Sequence, residues 1–179
     1  MAMSEKNSLI VYITGVPGTG KTSIAKHLSQ ELNLKYLEVN DLVMQHDLYF
    51  GYDINRDTLI VDDELLIKRL KQEIDLNSRI CIAGGIIFEN AMFDLIIVVH
   101  SSIPALRKRF QARSYDEDKI ESNLESEIMN VLYYELLEYY SSDIIHEVMN
   151  DNRTVKDTCD EILSIIQQHS LGITERTLC

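Results

Sequence analysis

The apolar run Leu9-Ile10-Val11-Tyr12-Ile13 gives way to Gly15-Val16-Pro17-Gly18-Thr19-Gly20-Lys21-Thr22, and this junction constrains the fold more than any other stretch of the chain. Five apolar, mostly β-branched residues in a row suit a strand covered on both faces, as at the centre of a parallel sheet. Glycines at 15, 18 and 20 allow positive φ, and Ile24, Leu28 and Leu32 then recur at helical spacing. The unit reads strand, glycine loop, helix. Its loop satisfies G-x-x-x-x-G-K-[ST], a spacing that curls backbone N–H groups around phosphate oxygens and sets the positive end of a helix against them. Lys21 is expected to add charge at the β and γ phosphates of ATP. Thr22 offers a hydroxyl to Mg²⁺, and Ser23 a polar contact near the α-phosphate. Nucleotide binding follows from this pattern; a reaction type does not, because ATPases, GTPases and small-molecule kinases share the loop.

Further strands are expected at 34–39, 79–83 and 94–99, with a last short one at 144–149. Helices are expected over 40–46, 62–74, 104–113, 116 to about 140, and 154–169, and the tail 171–179 is expected to fray. Strands alternating with helices make an α/β fold, a doubly wound parallel sheet with helices on both faces. With two prolines, no repeat and no low-complexity stretch, one domain spanning 1–179 is expected.

Composition narrows the function. A net charge of -12 argues against unaided binding to bare nucleic acid and suits a basic protein partner better. No apolar run approaches the roughly 18 residues of a membrane span, and residues 1–8 are too short and polar for a signal peptide, so an intracellular protein without membrane association is expected. Cys81, Cys159 and Cys179 are odd in number and far apart, which implies neither a disulfide framework nor a zinc site.

A kinase fits better than a GTPase: the chain is short, lacks N-K-x-D, and carries Arg109 and Arg113 four residues apart. The polar segment Ser114-Tyr115-Asp116-Glu117-Asp118 that follows could act as a lid. Phosphoryl transfer between nucleotides needs cations on the migrating group and exclusion of water. From spacing alone, a solvated face made of Arg107, Lys108, Arg109 and Arg113 is an equal alternative.

Beyond the loop, several stretches are particular: Leu34-Lys35-Tyr36, Asp41-Leu42, Leu48-Tyr49 with Gly51-Tyr52-Asp53, Val61-Asp62-Asp63-Glu64, Arg109-Phe110-Gln111-Ala112-Arg113-Ser114-Tyr115, and the run from Lys119 to Ile128. On these the chain resembles, over about residues 8–169, the adenylate kinase isoenzyme 6 family, the coilin-interacting nuclear ATPases. The resemblance implies a P-loop fold of the nucleoside monophosphate kinase type. Its monophosphate-binding segment would lie at about 38–61 and its short lid at about 112–123. Arg109 and Arg113 would be phosphate clamps, Arg113 also covering ATP. It further implies adenylate kinase and ATPase activity with AMP or another nucleoside monophosphate as acceptor. A role in small ribosomal subunit maturation, a basic small-subunit ribosomal protein as partner, and a place in nucleus and cytoplasm are implied too.

The chain departs from that pattern. The family's strand-end Asp, which helps hold the metal, and the His two residues on correspond to Cys81 and Ala83, neither a good Mg²⁺ ligand. Met44 stands where the family carries an Arg; Met44 is expected to pack, and Arg56 could reach in from the same segment. Glu89, Asp62 and Asp63 are candidate substitute carboxylates. Losing one preorganised electrostatic contact typically costs about 10²- to 10³-fold in rate. The implied alternative is therefore a catalytically weak ATP-binding assembly factor. A kinase for a shikimate-like alcohol would want a base beside the acceptor hydroxyl, and the Gly51-Tyr52-Asp53 match argues against it.

Overall fold

The computed structural model describes residues 8–54, 58–74, 78–89 and 91–176, the stretch 170–176 by its backbone alone. The chain runs β1 (Leu9–Thr14), α1 (Lys21–Glu31), β2 (Lys35–Glu38), α2 (Val39–Gln45), β3 (Tyr49–Asp53), β4 (Thr58–Val61), α3 (Asp63–Glu73) and β5 (Arg79–Ala83). It continues through β6 (Leu95–His100), α4 (Ile103–Ala112), α5 (Glu117–Ile128), α6 (Val131–Tyr139), β7 (Ile145–Met149) and α7 (Val155–Arg176). Five strands pair in the order β2-β5-β1-β6-β7, all parallel, so the glycine loop leaves the centre of the sheet where connections diverge to either side. In open α/β sheets that is where ligands bind, beyond the carboxyl ends of the strands.

Both faces of the sheet are covered, which is why its strands read as unbroken apolar runs. On one face Ile10, Tyr12, Ile80, Ile82, Ile96 and Val98 pack with Leu66, Leu70 and Leu136. On the other, Val11, Ile13, Cys81, Ala83, Leu95 and Ile97 pack against Ile24, Ala25 and Leu28 of α1 and Cys159, Ile162 and Ile166 of α7. Register places Ile13 beside Ala83 and Ala83 beside Glu38, with Val11, Cys81 and Tyr36 forming the next row. Cys81 and Cys159 are free and buried; Cys179 lies outside the described residues.

Four expectations change. The helix expected from 116 to about 140 is two, because Asn130 turns left-handed at φ 51°, a conformation its short polar side chain tolerates, and its Nδ2 donates to Glu147 at 2.7 Å. The hairpin of β3 and β4 was not foreseen; its register shifts between Tyr49 and Gly51, which spoils the two-residue alternation. Strand 34–39 ends at Glu38 because Val39 already begins α2. The last helix, expected over 154–169, continues to Arg176, across Gly172, with no proline to stop it; residues 177–179 lie outside the described residues. Among the described residues no helix is long and apolar enough to cross a membrane.

Candidate functional site

The glycine loop is shaped by contacts from distant elements. Gly20 precedes α1 at φ 96°, and a Cβ there would lie 2.5 Å from Asn150 Nδ2; a Cβ on Gly15 would collide with the Val99 carbonyl oxygen. Asn150 Nδ2 donates to the Thr19 carbonyl at 2.7 Å, while its Oδ1 accepts from Thr158 Oγ1 at 2.9 Å. Arg109 Nη1 donates to the Gly18 carbonyl at 2.7 Å and to Ser101 Oγ at 2.9 Å. Thr19 Oγ1 closes the loop on itself by donating to the Val16 carbonyl. With the Val16, Gly18 and Thr19 carbonyls engaged by these donors and no described side chain capping α1, the helix-end N–H groups remain for an anion.

A cavity of about 1070 Å³ opens over the loop. Its floor is Gly18, Gly20, Lys21, Thr22 and Ser23; one wall carries Glu38, Asn40, Asp41 and Thr58; the roof is Arg113 with Tyr115, Asp118, Lys119, Ser122 and Asn123. Burial pushes the Lys21 ammonium down to about 8, against the pull of Glu38 and with a push from Arg113. Thr22 Oγ1 donates to Glu38 Oε2 at 3.0 Å, and the Tyr36 hydroxyl donates to the same oxygen at 2.8 Å. Burial first, then that carboxylate, raises the Tyr36 phenol well above its usual value.

The roof has a packed root. Ile120 and Leu124 of α5 join Val16, Leu106 and Phe110 in a small buried cluster, and Tyr115 stacks on Phe110 with centroids 5.7 Å apart. Asp116 caps α5 by accepting from Lys119 N at 2.8 Å, and Lys119 Nζ lies 4.5 Å above the Tyr115 ring. Ser114 makes the turn between α4 and α5 at φ 56°.

The structure thus brings Gly18, Gly20, Lys21, Thr22, Ser23 and Arg113 onto one cavity, with Gly15 and Arg109 behind the loop rather than in its lining. The arginine-rich face of α4 divides: Arg107 is exposed and paired with Glu117 and Glu121, whereas Arg109 turns inward. Cys81 and Ala83 are fully buried toward α1, and burial pushes the Cys81 thiol up to about 12. Met44 does not pack as expected: it is 57% exposed, because α2 turns Val39, Leu42 and Val43 inward and leaves position 44 on the outer side. Arg56 lies outside the described residues. The three candidate carboxylates stand elsewhere: Asp62 caps α3 through Leu65 N, Asp63 opens that helix, and Glu89 accepts from Tyr139. The acid beside Thr22 is Glu38, which the sequence reading placed inside the 34–39 strand and at the start of the 38–61 segment without a role at the metal. Asn150, 131 residues from its loop partner, had no sequence signal at all.

Residues 11–130 match the family model of the AAA domain. The chain is 31% identical over 173 residues to the adenylate kinase isoenzyme 6 homolog FAP7 of Saccharomyces cerevisiae, covering 92% of this chain and 87% of that protein. It is 30% identical over 149 residues to the adenylate kinase isoenzyme 6 homolog of Caenorhabditis elegans, covering 79% of each. A shikimate kinase from Acinetobacter baumannii, solved in complex with shikimate, superposes with TM-score 0.63 over 91% of this chain and 95% of that one; at 12% identity the likeness is one of fold. Sheet order, loop and lid make this a nucleotide-binding P-loop fold of the nucleoside monophosphate kinase type. Within that class, the chain belongs to the adenylate kinase isoenzyme 6 family.

Proposed function

We propose that the chain, acting as one domain over 1–179, transfers the γ-phosphoryl group of ATP to AMP or another nucleoside monophosphate and also hydrolyses ATP. The observation that carries this is the three-sided cavity: loop, residues of the 38–61 segment and residues of the 112–123 segment face one space. A donor and an acceptor can meet there end to end, and closure of the roof would exclude water.

In this reading Gly15, Gly18 and Gly20 give the loop its curvature, Lys21 and Arg113 offset charge on the migrating group, and Ser23 contacts the donor's phosphates. Arg109 acts through the loop, holding the Gly18 carbonyl away from the anion. No general base is needed, since the acceptor phosphate is already anionic. The residues present fit Mg²⁺: Thr22 supplies a hydroxyl with a carboxylate next to it, hard oxygens of the kind the ion prefers. Among the described residues no cluster of three acidic, His or Cys side chains is built to hold a metal alone, which suits an ion brought in with substrate phosphates. When bound there, Mg²⁺ would supply positive charge that neutralises the phosphates, with Thr22 as the residue to hold it and Glu38 beside that hydroxyl.

The apolar neighbours Cys81 and Ala83 support a second reading, an ATP-binding assembly factor with little turnover. In either case the charge of -12 suits a basic partner, which we take to be a small-subunit ribosomal protein met during subunit maturation in nucleus and cytoplasm. The test is ADP formation from ATP and Mg²⁺, with and without AMP, for the wild type beside Lys21→Ala. AMP-dependent ADP formation lost in the variant supports the kinase; ATP binding without turnover supports the assembly factor. Unchanged binding and turnover in Lys21→Ala would overturn both.

A further inference from the structure

We propose that Glu38, on edge strand β2, is the carboxylate that orients the Thr22 hydroxyl toward the nucleotide-borne metal and anchors that metal's water shell. The inference rests on the nucleotide-site reading above and goes beyond it by assigning an acid that the glycine-loop pattern does not contain.

The sheet geometry carries the argument. Parallel register sets Ile13, Ala83 and Glu38 side by side across β1, β5 and β2, at the end of the sheet where the loop begins, with Val11, Cys81 and Tyr36 one row below. Both rows face α1, where Ile24, Ala25 and Leu28 pack on them. Of these six residues Glu38 alone carries a charge. β1 and β5 have only apolar or thiol side chains to offer there, buried completely. Glu38 is half-buried and lines the cavity.

The hydrogen bonds then define what the carboxylate does. A threonine hydroxyl has one proton and two lone pairs, and its rotor is otherwise unconstrained. Donation from Thr22 Oγ1 to Glu38 Oε2 at 3.0 Å commits the proton, so the lone pairs are what Thr22 presents elsewhere. The Tyr36 hydroxyl, donating to the same oxygen at 2.8 Å, holds that carboxylate in place, and neither bond uses Oε1. Partners of this kind, which touch a ligand rather than the metal, fix ligand orientation and typically contribute 10- to 100-fold to metal affinity.

A plainer role is possible for the same side chain, as counter-charge to Lys21, whose ammonium it favours. The two roles separate by metal dependence. ATP affinity is measured by calorimetry for the wild type and Glu38→Gln, once with saturating Mg²⁺ and once with EDTA. Mn²⁺ binding to the ATP complexes is followed by electron paramagnetic resonance. The expected result is a 10- to 100-fold loss of Mg²⁺-dependent ATP affinity and a matching loss of Mn²⁺ affinity, with metal-free ATP binding unchanged or tighter. Glu38→Asp, one methylene shorter but still an acid, should lose less than Glu38→Gln. An unchanged ratio of metal-dependent to metal-free affinity overturns the proposal and leaves the nucleotide site standing. Equal loss under both conditions also overturns it, in favour of the counter-charge. Failure of the wild type to bind ATP at all removes the site reading and this inference together.

Discussion

The phosphate loop and the β3–β4 hairpin both border the cavity, yet they are held in opposite ways. In the loop, carbonyls of Val16, Thr19 and Gly18 accept hydrogen bonds from within and from β7's end and α4, and added Cβ atoms at Gly15 or Gly20 have nowhere to go. In the hairpin, a Cβ on Gly51 would meet nothing within 4 Å, and Phe50 and Ile54 are 75% and 84% exposed. Among its described residues, Tyr49, Leu59 and Val61 pack along the main core. Glycine is therefore obligatory in one region and merely tolerated in the other. A phosphate cradle must be rigid before the ligand arrives, because its N–H groups act by preorganisation. A segment with few buried contacts opens locally at low cost, which suits a wall that adjusts to an acceptor.

The comparison predicts the largest gap between two glycine substitutions. Gly15→Ala should destabilise the fold by about 1–3 kcal/mol and abolish ATP binding, since its methyl meets backbone rather than a flexible chain. Gly51→Ala should stay within about 0.5 kcal/mol. Denaturant unfolding of both variants measures the gap, and similar losses would erase the distinction. Next comes Arg109→Ala, which removes a charged donor from the Gly18 carbonyl and from Ser101. A roughly tenfold loss of ATP affinity is expected, in keeping with about 1.5–3 kcal/mol for a charge-assisted bond partly offset by water. Arg107→Ala, on the exposed side of the same helix, should leave affinity unchanged.

A smaller effect concerns pH. The free site holds Lys21 near 8, and phosphate charge must raise that value in the complex. ATP affinity should thus be level below about 8 and fall by up to tenfold per unit above it, until the raised value is passed. Proton uptake on binding, read from calorimetry in buffers of different ionisation enthalpy, checks the sign: release instead of uptake would contradict it. The smallest effect lies behind the loop, at His100. Its bond to Glu127 Oε1, which also accepts from Ser101 N, raises the imidazole above its ordinary 6.5. The stability gained is full below about 6.5 and lost as pH rises through the raised value. His100→Gln should cost about 1 kcal/mol or less at pH 6 and progressively less at alkaline pH, measured by denaturant melts.

What could be read in the chain was what local rules govern. Leu9 to Ile13, the glycine spacing and the Ile24-Leu28 period define β1, loop and α1 without reference to any other segment, so Lys21, Thr22 and Ser23 were legible at once. The hairpin escaped because its bulge near Phe50 and the glycine beside it break the alternation by which a strand is recognised. The α5–α6 junction escaped because Asn130 ends a helical pattern by backbone geometry, with no glycine or proline to announce it. The candidate substitutes Asp62, Asp63 and Glu89 were proximate in sequence to motifs but cap a helix or bind a tyrosine in space.

The amino-acid sequence by itself determined the cradle and the alternating strands and helices, because positive φ and hydrophobic period are properties of neighbours along the chain. Tertiary structure alone decided which distant groups complete the cradle. Arg109 reaches Gly18 across 91 residues and Asn150 reaches Thr19 across 131, while strand order β2-β5-β1 carries Glu38 past Ala83 to Thr22. Those meetings depend on parallel register and crossover packing, which no local pattern encodes.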